Sequence, residues 1–179
     1  MSAGYTKVIL ALGSNLGERN DTLSTAVADL VDPAEVRLLG VSPVVQTKAV
    51  GGPEGQPDFL NMVMAIETTL APLELLAHCH SVEQKHHRTR EVRWGPRTLD
   101  VDIVVYGNVQ SDDPILTLPH PRAAERAFVL YPWSLLEPNA QLGGKSVAEL
   151  AAVAADMPDI RRFDGYGDVA GVPAAGAVE

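Results

Sequence analysis

"RWGPRTLDVDIVVYG", Arg93 to Gly107, reads as a β-strand carrying two acids where a strand ought to be oily. Side chains alternate along a strand, so Asp100 and Asp102 share one face, while Leu99, Val101, Ile103 and Val105 share the other and can enter a core. Like charges side by side in a sheet repel each other. A positive group between the two carboxylates resolves that repulsion; a solvated strand face is the plain alternative.

Around this strand the rest of the chain falls into place. "KVILALG" (Lys7–Gly13) is a first strand stopped by Gly-Ser-Asn, and Leu23, Ala26, Val27 and Leu30 recur at helical spacing before Asp32-Pro33. "VRLLGVSPVVQT" (Val36–Thr47) is long and strand-like, with Pro43 marking an edge or a bulge. "FLNMVMAIET" (Phe59–Thr68) is the next strand, and Pro72 opens a helix striped by Leu75, Leu76, Cys79 and Val82. Further on, Ser146 and Glu149 form a capping box ahead of another helix. The order strand, helix, strand, strand, helix, strand predicts an α+β, ferredoxin-like βαββαβ core. Its sheet is mainly antiparallel, with helices packed on one face and the other face free. One domain is expected over residues 1–162, and the aperiodic Gly/Ala/Val/Pro stretch 163–179 reads as a disordered tail.

Composition narrows the function. A formal net charge of -9 argues against a general nucleic-acid binder, because phosphates would be repelled by most of the surface. The single cysteine, Cys79, allows no intrachain disulfide and fits a reducing cytoplasm. "VILALG" is too short for the apolar core of a signal peptide, and no apolar run reaches membrane-spanning length. A soluble cytoplasmic monomer without nucleic-acid or membrane partners is expected.

Against that acidic background, five of the chain's 14 Lys and Arg residues fall between Lys85 and Arg97. A helix C-terminus accounts for those up to Arg90 but not for Arg93 and Arg97, so an anion site is expected there. Magnesium takes oxygen ligands, commonly one or two carboxylates plus substrate phosphates, and Asp100 and Asp102 have the spacing for it. No GxxxxGK[ST] or GxGxxG run is present, and "GSNLG" (Gly13–Gly17) is explained as well by a turn as by an anion site. Phe59 and Asn61 share a strand face, an apolar surface beside an amide that suits a planar heterocycle such as a pterin or purine. Phe128 and Trp94 are further stacking candidates, although each aromatic taken alone reads first as core. His120, held between two prolines, reads as structural or functional with equal ease. His80, Glu83 and His87 share a helical face but lack a fourth partner, which makes zinc a weak alternative.

Taken together, "RWGPRTLDVDIVVYG", "GSNLG", "QPDFLN" and "LPHPRAAERAFVLYP" resemble the 6-hydroxymethyl-7,8-dihydropterin pyrophosphokinase family of folate biosynthesis. The likeness runs in order from about Lys7 to Leu142. It implies transfer of pyrophosphate from ATP to the pterin's hydroxymethyl oxygen, with release of AMP and two Mg2+ ions as cofactors. By motif position, the resemblance makes Asp100 and Asp102 the metal ligands, and Arg97 and Arg88 the residues stabilising charge on the transferring phosphates. It places Glu83, Arg90, Arg97, Thr117, His120 and Arg126 around ATP. Phe59 and Phe128 would sandwich the pterin, Asn61, Thr47 and Val50 would read its polar edge, and Trp94 would close over it. Phe59 stands where a tyrosine is common in the family, which keeps the stacking surface. A ligand sensor would explain the fold but not acids facing arginines. A phosphohydrolase would explain both charges but needs no aromatic sandwich.

Overall fold

A computed structural model describes residues 4–14, 19–47, 59–89 and 99–163. The expected strand-and-helix order is present as β1 (Thr6–Ser14), α1 (Arg19–Leu30), β2 (Val36–Val41), β3 (Val45–Thr47), β4 (Phe59–Thr68), α2 (Pro72–Thr89) and β5 (Leu99–Tyr106). β1 lies between β5 and β4, and β2 and β3 both pair with the far edge of β4; every pairing is antiparallel. The long strand expected over 36–47 is thus two strands, broken at Ser42–Val44 around Pro43. Ser42 holds the break to the sheet: its N–H donates to Val63 O (2.8 Å) and its Oγ accepts from Val63 N–H (2.9 Å). β1 also runs through Gly13 to Ser14, further than its sequence suggests.

One face of the sheet carries Val8, Leu10 and Leu12 of β1 with Leu60, Met62, Met64 and Ile66 of β4. They pack against Leu23, Ala26, Val27 and Leu30 of α1 and Leu75, Cys79 and Val82 of α2, the stripes their periodicity predicts.

The opposite face is not free. α3 (Ala127–Leu136) and α4 (Val147–Val153) cover part of it, with Val129, Leu130, Trp133 and Ala151 against Ile9, Ala11, Val63, Ala65 and Val104. "AFVLYPWSLL" is apolar on nearly every side and holds Pro132, so it shows no helical contrast in the sequence. Only Ser134 breaks its apolar run. A two-strand ribbon, β6 (Gln141–Leu142) and β7 (Lys145–Ser146), leads into α4, whose cap is Ser146 Oγ accepting from Glu149 N–H at 3.3 Å. β8 (Arg161–Arg162) then pairs with β3. The stretch read as a tail lies outside the described residues from 164 onward.

β5 departs from simple alternation. Ile9 pairs with Val105 but Leu10 with Ile103, so Val104 is an extra residue on the β5 side. The bulge reverses the phase: Leu99, Val101 and Ile103 enter the first core as expected, but Val105 packs against the second.

Candidate active site

The sheet register builds the site's floor. Val45, Asn61, Gly13 and Asp100 lie in one row across β3, β4, β1 and β5, and Val63, Ala11 and Asp102 lie in the next. Residues directly opposite one another share a face, so the two acids sit on the α3 side of the sheet. Opposite them β1 presents only Gly13 and Ala11, which leaves the floor low between Asn61 and the carboxylates. Arg126 and Phe128, at the start of α3, complete the wall. Asp156, from the far end of the chain, fixes that start by accepting the Ala127 N–H at 2.8 Å, in place of a side-chain cap from Arg126 itself.

The result is a cavity of about 340 Å³ lined by Thr47, Phe59, Asn61, Asp100, Asp102, Arg126 and Phe128, together with Ala11, Leu12, Gly13 and Val129. That volume is at the lower end of small-molecule sites. The Arg126 guanidinium stands 5.5 Å from the centre of the Phe128 ring, within reach of a cation–π contact that fixes both. Asn61 is buried, and its Oδ1 accepts from Thr47 Oγ1 at 3.4 Å. A smaller hollow shares Ala11, Asp102, Arg126 and Val129 with the cavity and brings His120 to its side.

Electrostatics set the acids' neighbours. Glu83, on α2, accepts the Val101 N–H at 2.7 Å and so pins the backbone between Asp100 and Asp102. Burial raises the Glu83 pKa. The Val101 bond and the nearby His80 oppose that rise, while the Asp100 and Asp102 charges add to it. His120 is tied down by its N–H donating to Val104 O at 2.8 Å, and its Nδ1 accepts the Arg122 N–H at 3.2 Å. The neutral ring therefore carries its proton on Nε2. Burial lowers the His120 pKa; Asp102 opposes this, and Arg126 and Arg122 reinforce it.

Among the described residues no group of three or more His, Cys, Asp or Glu side chains is placed to hold a metal. Two carboxylates on a rigid strand beside a substrate-sized cavity do fit magnesium, which completes its shell with water and phosphate oxygens. The zinc alternative of His80, Glu83 and His87 lies partly outside the described residues, because the His87 side chain is not among them, and two other histidines of α2 are engaged in packing. His78 Nε2 bonds Leu30 O and His86 Nε2 bonds Asp29, both joining α2 to α1.

Of the other expected site residues, Thr117 is spent on a turn, its Oγ1 donating to Asp113 O at 3.0 Å, and it does not line the cavity. Glu83 reaches the site through β5 rather than by lining it. Val50, Arg90, Trp94 and Arg97, and the side chain of Arg88, lie outside the described residues. Sequence reasoning missed Ala11 and Val129, whose only signal is their register and spacing beside Gly13 and Phe128.

Comparison with known proteins decides the family. Residues 9–138 match the family model of 7,8-dihydro-6-hydroxymethylpterin-pyrophosphokinase (HPPK). The chain belongs to this family. It is 42% identical over 160 residues to the 2-amino-4-hydroxy-6-hydroxymethyldihydropteridine pyrophosphokinase of Pseudomonas aeruginosa, covering 89% of this chain and 98% of that one. It is 47% identical over 123 residues to the Bacillus subtilis enzyme of the same name, covering 69% and 73% of the two chains. A Plasmodium falciparum HPPK-DHPS A437G structure with pteroate shares the fold, with a TM-score of 0.64 at 12% identity. That match covers 88% of this chain and 46% of the other, so this chain spans about half of that protein. Family members transfer pyrophosphate from ATP to hydroxymethyldihydropterin in folate biosynthesis, generally with Mg2+. No helix among the described residues is long and apolar enough to cross a membrane.

Proposed function

We propose that this chain performs the family's transfer in the cavity above Gly13, with the pterin at the Phe59–Asn61–Phe128 end and the ATP phosphates at the Asp100–Asp102 end. Asp100 and Asp102 would hold the two magnesium ions, and Arg88 and Arg97 would stabilise charge on the transferring phosphates. Phe59 and Phe128 stack on the pterin, while Asn61 and Thr47 read its polar edge with the backbone near Val50. Trp94 closes over the ring. Arg90, Arg126 and Thr117 belong to the ATP side. His120, neutral with its proton on Nε2, donates to an ATP oxygen, and Glu83 keeps the β5 backbone in register beneath both substrates. Phosphoryl-type transfer depends on in-line placement and charge neutralisation more than on covalent help. Bound magnesium supplies that neutralisation and lowers the cost of deprotonating the pterin hydroxyl. No general base is assigned. The enzyme acts as a cytoplasmic monomer.

One observation carries this proposal: a single cavity holds two acids, a buried amide and two aromatic rings, and a bare nucleotide hydrolase has no use for the rings. Phosphorus NMR of the protein with magnesium and ATP, with and without 6-hydroxymethyl-7,8-dihydropterin, tests it. AMP and a new pyrophosphoryl ester are expected only when the pterin is present. ADP or phosphate in both samples would mean a hydrolase, and unchanged ATP in both would mean a binding protein.

A further inference from the structure

Gly13 is the penultimate residue of β1, paired on both sides, where a glycine weakens a strand and a larger residue would serve the sheet better. Backbone conformation does not explain it. Among the described residues the positive-φ glycines are Gly4, Gly107, Gly143 and Gly144, and Gly13 is not one of them. Space does explain it. A Cβ on Gly13 would lie 2.7 Å from Asn61 Nδ2, closer than such atoms come, whereas its next neighbours, Asn61 Cγ and Leu60 O, are at 3.8 and 3.9 Å. Gly13 and Asn61 are register partners, so the Asn61 side chain lies across the gap that the missing side chain leaves. On its other side the amide is met by the Thr47 hydroxyl.

We infer that Gly13 is a positioning residue for pterin recognition: it lets the Asn61 amide lie flat along the cavity floor with its polar edge presented to the ligand. This rests on the proposal that Asn61 reads the pterin. A methyl at position 13 displaces the amide, the free end of a side chain, and leaves the backbone and the acids where they are. Pterin affinity is therefore expected to suffer while phosphate chemistry does not.

The test is a double-mutant cycle on Gly13→Ala and Asn61→Ala, reading KM for the pterin, KM for ATP, kcat and thermal stability. Gly13→Ala is expected to raise the pterin KM about five- to tenfold, the worth of one or two neutral hydrogen bonds, with kcat and the ATP KM nearly unchanged. Asn61→Ala should raise the pterin KM at least as far, and the double variant no further, because the methyl then has no amide to move. In amide NMR of the Gly13→Ala protein, the Asn61 side-chain resonances should shift. Additive effects would mean that Gly13 meets the ligand directly and would overturn the positioning role. So would an unchanged pterin KM in Gly13→Ala, or a Gly13→Ala chain that fails to fold, since the methyl would then meet more than the amide. An unchanged pterin KM in Asn61→Ala would instead remove the pterin-reading role of Asn61 and, with it, this inference.

Discussion

Along β1 the residues facing α1 and α2 are Val8, Leu10 and Leu12, and those facing α3 are Ile9, Ala11 and Gly13. β4 repeats the contrast, with Leu60, Met62, Met64 and Ile66 on the first side and Asn61, Val63 and Ala65 on the second. On β5 the contrast becomes Leu99 and Val101 against Asp100 and Asp102. The first face is filled to its ends by large apolar side chains. The second steps down from Ile to Ala to Gly until α3 no longer covers it, and the cavity occupies that step. The two-residue period of a strand thus lets one chain devote a face to cohesion and release the other for chemistry. Substitutions on the two faces should separate stability from activity.

The largest expected effect is on the second face. Asp102→Asn should lower kcat by about 10³-fold or more, roughly 4 kcal/mol of transition-state stabilisation, since an amide is a poor magnesium ligand. Its Tm should hold or rise, because one of the charges crowding Asp100 and Glu83 is gone. Steady-state AMP formation and a thermal scan on the same preparation check both. A variant equally stable and equally active would place the acids outside the chemistry.

Next comes Leu10→Ala, on the fully buried first face. Loss of transfer energy and the cavity left behind should cost about 3 kcal/mol, on the order of ten degrees in Tm, while kcat at a permissive temperature stays within about twofold. A large fall in kcat of the folded variant would break the separation between the faces. Smaller again is Phe128→Ala at the boundary of cavity and core. A pterin KM raised by about tenfold is expected, with a modest loss of stability, because the ring is only partly buried.

The smallest effect belongs to Cys79, a thiol inside the first core. Burial, then Glu83, then Asp102 raise its pKa from 9.0 to about 12. The folded chain therefore holds a proton between those values that the unfolded chain releases, so stability should fall as pH rises above 9. Cys79→Ala should flatten the decline of Tm over that range. A thiol reagent at pH 8 should label the native protein far more slowly than the denatured one, and equal rates would contradict the burial.

The first face was legible in the sequence because contrast marks it. Leu23, Ala26, Val27 and Leu30 alternate with polar residues, and Pro72 announces the start of α2. β4 has the limits its apolar run indicates. The acids stood out for the same reason, as the wrong chemistry in a strand. α3 was illegible because a segment apolar all round has no period to read, and Pro132 argues against a helix. With α3 unread, the sheet's second face looked free, although that is where Arg126 and Phe128 are held. The bulge at Val104 depends on pairing with β1, and the cap from Asp156 joins residues that lie 29 positions apart. Neither leaves a local signal. In the sequence Gly13 reads as a strand end and the start of a turn, while its place opposite Asn61 is a fact of register.

The most direct test of the two-face account is to locate the metal–nucleotide complex. Manganese is substituted for magnesium with a non-hydrolysable ATP analogue, and paramagnetic broadening of backbone amides is mapped. The strongest broadening is expected at Asp100–Asp102, with Ala11, Gly13 and Arg126 close behind and α1 much less affected. Broadening centred on α1 and α2 would put the nucleotide on the other face and contradict this division.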